Sequence, residues 1–111
     1  MVKKLQRSMC AGILLAAFGV GAPYGANATA ASAGKAVFGQ CQVCHSATTM
    51  ARKVGPSLKG LFKHARLQNG KAVTDQNVRA MIDQGGNGMP SYADILSAQQ
   101  KDDVIAYLKT L

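Results

Sequence analysis

Tryptophan is absent, and the other aromatics are scarce: three tyrosines and three phenylalanines in 111 residues. Acids are few as well, with 5 Asp and Glu against 13 Lys and Arg, a formal charge of +8. The longest charge-free apolar run, Met9 to Val20, has twelve residues, short of the roughly twenty that a membrane-spanning helix needs. No run alternates in the manner of a strand, and there is no internal repeat or low-complexity tract. A chain this size without strands or tryptophan is expected to be all-α with a small core. The absence of any basic–aromatic recognition motif argues against nucleic acid as the partner, despite the charge.

The first thirty residues differ from the rest. Lys3, Lys4 and Arg7 precede the apolar run; Gly21, Pro23 and Gly25 follow it, then Ala26-Asn27-Ala28 and Ala28-Thr29-Ala30. A positive start, an apolar centre and a small-x-small end read as a secretory signal peptide over 1–28, cleaved after Ala28 or Ala30, with one domain over 29–111. Export implies a periplasmic location without a stable membrane anchor. Without the three leader cations, 10 basic residues face 5 acids, a formal +5. Cys10 leaves with the leader, so two cysteines remain and no disulfide framework exists.

Those two stand in Cys41-Gln42-Val43-Cys44-His45. Two thiols three positions apart, followed by an imidazole, read as an attachment site for c-type haem. Each thiol can add to a vinyl group as a thioether, and one helical turn spans both. His45 is then carried under the ring as proximal iron ligand. Competing readings have less to build on. A redox CxxC sits at a strand-to-helix junction, and no strand-like run precedes Cys41. A structural zinc site needs four ligands, and only His64 and Cys10 are on offer. A haem-free thiol oxidoreductase would lack a Soret band.

Three helices are expected. Ser32 to His45 repeats Val37, Phe38, Cys41 and Cys44 at helical spacing, with Ser32 as cap. Asp75 to Gln84 follows Thr74 and stops at Gly85-Gly86. Ala98 to Thr110 begins at the capping-box pair Ser97 and Gln100, and Val104, Ile105, Leu108 and Leu111 form its apolar face. The long polar stretch Ser46 to Val73 suits a loop wrapped around a cofactor. With only Phe38, Phe62, Tyr92 and Tyr107 as aromatics after the leader, a covalent haem would act as a staple.

A second iron ligand has to come from Met50, Met81, Met89 or His64. Met50 is too near His45 to cross the ring, Met81 lies on the apolar stripe of the second helix, and His64 reads as a surface residue. Met89 sits in Gly85-Gly86-Asn87-Gly88-Met89-Pro90, where glycines permit close approach to a flat ring and Pro90 stiffens the chain.

With these residues in view, the chain resembles the class I c-type cytochromes. The resemblance rests on Cys41, Cys44 and His45, on Gly55-Pro56-Ser57-Leu58-Lys59-Gly60, on Gly88-Met89-Pro90-Ser91-Tyr92, and on Val104-Ile105-Ala106-Tyr107-Leu108-Lys109. It implies a cytochrome c-like fold whose first and last helices cross near Phe38 and Tyr107. It also implies a Pro56 carbonyl that accepts a hydrogen bond from His45, Gly55, Pro56, Gly88 and Pro90 as supporting residues, and one haem c with His45 and Met89 as axial ligands. Met/His ligation leaves no open iron position, which points to a soluble, monomeric electron carrier rather than an enzyme. Alternatives are a cytochrome subunit of a larger periplasmic dehydrogenase or oxidase, and a haem-based sensor with a labile methionine. Lys35, Arg52, Lys53, Lys59, Lys63, Arg66 and Lys71 would steer such a carrier to redox partners with acidic docking surfaces.

Overall fold

The structure, a computed structural model, describes residues 26–111. Residues 1–25, which hold Cys10 and most of the expected leader, lie outside the described part. Within it the elements are α1 (Ala26–Phe38), a 3-10 turn (Leu61–Lys63), α2 (Asp75–Gln84) and α3 (Ala98–Leu108). There are no strands among the described residues, only isolated bridges at Arg66–Ala72 and Gly86–Met89.

α2 and α3 start where their caps predict. The Thr74 side chain accepts from the Asn77 N–H, and Ser97 and Gln100 form a reciprocal capping box. α1 departs from expectation at both ends. It is already helical at Ala26, the first described residue, because the Ala-rich stretch favours helix strongly enough to run through Ser32. It ends at Phe38 instead of His45, because the chain tightens at Gly39, whose N–H donates to Ala36 O at 3.2 Å. α3 stops at Leu108, two residues short of the expected Thr110.

α1 and α3 cross closely. Gly34 is buried at the contact, and a Cβ there would overlap the Asp103 carbonyl. The Phe38 and Tyr107 rings meet at 5.2 Å between centroids and 56°, a tilted arrangement that suits the quadrupoles of two aromatic rings. Phe38 is fully buried, and Val78, Ile82, Leu96, Val104, Ile105 and Leu108 complete the core around it. This core is small, and the half-buried Cys41, Leu58, Leu61, Phe62 and Tyr92 pack against its edge.

Candidate functional site

The chain leaving α1 makes one more helical turn. Gln42 N–H donates to Phe38 O at 3.1 Å and His45 N–H to Cys41 O at 2.9 Å. Cys41, Cys44 and His45 are therefore at i, i+3 and i+4, on one face. All three are half-buried, and both cysteines are free thiols. Burial pushes the Cys41 thiol above its ordinary pKa, and the neighbouring Cys44 adds to the shift.

The His45 ring is held from behind. Its Nδ1 lies 2.7 Å from the Pro56 carbonyl oxygen. A carbonyl only accepts, so Nδ1 carries the proton and donates. That leaves the Nε2 lone pair free, the tautomer a metal-binding imidazole requires. Gly55 closes the other side: its N–H donates to Cys44 O at 2.8 Å, and a Cβ would stand 2.6 Å from His45 Cε1. Further bonds lash the loop to the motif turn. Leu58 N–H donates to Ser46 O at 2.8 Å, the Ser57 hydroxyl donates to Thr49 O at 2.5 Å, and the Lys53 ammonium donates to Gln42 O.

Met89 is placed by a tight turn. Gly86 and Met89 exchange backbone bonds of 2.9 and 3.1 Å, and φ is positive from Gly85 through Gly88 (63°, 123°, 52° and 90°). Only glycine, or asparagine at position 87, takes four such angles in a row without strain. Met89 is half-buried, while Gly88 and Pro90 are exposed. The chain then returns to α2, where Tyr92 N–H donates to Ile82 O at 3.0 Å. Burial raises the Tyr92 phenol pKa, with Cys41 and Cys44 adding to the shift. Tyr92, three residues after Met89, and Cys41 both pack against the edge of the same core.

The rival ligands lie elsewhere. His64 is exposed at the end of the 3-10 turn, and Met50 is 65 % exposed. Met81 is half-buried on α2 and does not belong to the core. Among the described residues no three His, Cys, Asp or Glu side chains gather as a bare-metal site.

The donor set fits a haem: two free thiols and an imidazole with Nε2 spare share one face, a glycine stands where a side chain would strike that ring, and a thioether sits on a glycine turn. The family model for cytochrome C oxidase, cbb3-type, subunit III matches residues 28–108. The chain is also 36 % identical over 101 residues to cytochrome c2 of Blastochloris viridis, covering 76 % of this chain and 80 % of that protein. The chain belongs to the class I c-type cytochromes. Members of the family bind one covalent haem c, and Cys41 and Cys44 occupy its paired-cysteine positions. This cytochrome is thus a haem-based electron-transfer protein that acts with redox partner proteins, and it is not an enzyme.

Sequence reasoning passed over one buried charge in this cytochrome. Lys101 is 8 % exposed and pairs with Asp83 at 2.6 Å. The signal was present: position 101 precedes Val104, Ile105 and Leu108 by three, four and seven residues, which places it on the apolar stripe of α3.

Proposed function

We propose that this cytochrome is a periplasmic one-electron carrier. Cys41 and Cys44 hold the haem as thioethers, and His45 Nε2 and Met89 Sδ take the two axial positions. The observation that carries this reading is the His45–Pro56 hydrogen bond at 2.7 Å, which fixes the tautomer and direction of an imidazole sharing one turn with two free thiols. When bound, the haem supplies a one-electron ferric/ferrous couple. The protein's part is to hold both axial donors firmly. Pro56 orients the His45 ring, and Gly55 leaves room for it. Gly88 and Pro90 frame the Met89 turn. With both positions filled by the chain, no substrate site remains, and the soft thioether favours the reduced state.

The leader reading supports export: signal peptide over 1–28, functional domain over 29–111. No helix among the described residues is long and apolar enough to cross a membrane. Lys35, Arg52, Lys53, Lys59, Lys63, Arg66 and Lys71 are all exposed. None pairs with an acidic side chain among the described residues, so their field is available to steer the carrier toward acidic docking surfaces.

Intact-mass measurement on the exported, acid-denatured protein tests this reading. The expected species starts at residue 29 or 31 and keeps one haem on the polypeptide. A colourless protein overturns the haem assignment, and a mass that retains residues 1–28 overturns the leader. A second reading, a cytochrome subunit of a larger oxidase or dehydrogenase, is favoured by the description of the matching family model. Gel filtration of native extract separates the two: a carrier elutes alone at the mass of its own chain, a subunit with its complex.

A further inference from the structure

Lys101 is the buried charged side chain of the described core, and burying an ammonium is costly unless it is paired and hydrogen-bonded. Its Nζ lies 2.6 Å from Asp83 Oδ1 on α2 and donates to the Ala93 carbonyl at 3.0 Å. Asp83 Oδ1 is itself sealed from solvent. The Asp83 carbonyl in turn accepts from the Ser91 hydroxyl at 2.5 Å. One ammonium thus ties α3 to the last turn of α2 and to the chain just beyond Met89. The near end of that loop is fixed by Gly85, whose N–H donates to Met81 O at 2.8 Å. A Cβ on Gly85 would collide with the Met89 and Pro90 backbone, so the loop closes tightly on itself between its two anchors.

We propose that the Lys101–Asp83 pair is a positioning device for Met89. It clamps both ends of the loop over Gly85–Ala93 and so sets how often the thioether leaves its place. Lys101 touches neither the methionine nor the motif; it acts through Asp83 and Ala93. The proposal rests on Met89 being the axial ligand, and the experiment below separates the two claims.

The probe is cyanide, titrated into ferric holoprotein. Cyanide can bind only where Met89 has left, so its apparent affinity scales with the fraction of molecules whose loop is open. The near-infrared band of sulfur bound to ferric iron is read alongside. Met89→Ala should lose that band and bind cyanide most tightly; if it keeps the band, the ligand assignment fails and the positioning role with it. Lys101→Met should raise cyanide affinity roughly tenfold, a size ordinary for coupling between separate sites. Lys101→Arg keeps the charge and donors and should restore the native affinity. The double variant Asp83→Asn with Lys101→Met removes the stranded carboxylate and should regain thermal stability while its cyanide affinity stays high, because the Ala93 carbonyl has still lost its donor. The proposal is overturned if Lys101→Met leaves cyanide affinity and band at native values, or if the double variant recovers both along with stability, as a purely structural pair would. Should Lys101→Met yield no holoprotein, Asp83→Asn alone carries the test: a smaller rise supports the clamp, and no change overturns it.

Discussion

Residues 29–73 and 74–111 have opposite electrical characters. The first region holds seven Lys and Arg and no acid; the second holds three basic residues and all five acids. In the second, every cation has a carboxylate partner: Arg79 with Asp102, Lys101 with Asp83 at 2.6 Å and Lys109 with Asp75 at 2.6 Å. In the first, no lysine or arginine pairs with an acidic side chain; Lys53 reaches the Gln42 carbonyl and Arg66 the Gly70 carbonyl at 2.8 Å. The regions also differ in build. Beyond α1 the first is irregular chain lashed down by single hydrogen bonds, whereas the second is two capped helices bracketing the Met89 loop. The second region thus ties its two helices together through its own charged side chains. The first keeps a net positive charge, which the proposed function assigns to partner docking, and the proposed haem would supply its cohesion.

That contrast breaks first at the cysteines. Replacing both Cys41 and Cys44 by Ala removes the covalent tie of the first region, and so small a core then lacks its staple. Circular dichroism should show most of the helical signal and the cooperative melt lost. A native spectrum with a sharp transition would mean that the first region is self-sufficient after all.

Phe38 joins the two regions, so its truncation should affect both. Phe38→Ala should destabilise the holoprotein by about 3–5 kcal/mol, read as a lowered denaturation midpoint. A loss under about 1 kcal/mol would show that the α1–α3 contact is not what couples them.

Charge reversal sharpens the electrical half of the comparison. Lys53→Glu with Lys59→Glu should slow electron transfer to an acidic partner several-fold at low salt, and the difference should fade as ionic strength rises. Lys109→Glu, in the paired region, should change the rate little. Equal effects at both places would dissolve the distinction.

The smallest expected effect is local to the second region. Ser97→Ala removes the capping box and should cost about 1 kcal/mol, with cyanide affinity and colour unchanged. A spectral change would mean that the start of α3 is more closely coupled to the Met89 loop than the Lys101 contact implies.

Local signals were legible in the sequence wherever chemistry and spacing act within a few residues. The caps at Thr74 and Ser97, the Cys41–His45 turn and the glycines around Met89 are all of this kind. The ends of α1 were not legible, because Ala-rich chain before Ser32 carries no stop signal and the tightening at Gly39 competes with an unbroken apolar period. Long-range pairings beyond those the family resemblance implied, Phe38–Tyr107 and His45–Pro56, were hidden for another reason. Lys101 meets Asp83 and Ala93 only after α2 and α3 pack, and no spacing rule couples those positions. Gly34 shows the same limit: nothing in its neighbours announces that the Asp103 carbonyl will lie against it.

The central claim is that His45 and Met89 grip one iron from opposite faces. The most direct measurement is the near-infrared absorption of the ferric protein beside that of Met89→Ala, with the reduction potential of each. The account predicts a weak sulfur-to-iron band in the native protein that vanishes in the variant, together with a fall in potential. A native protein without the band, or a variant that matches it in band and potential, would contradict the account.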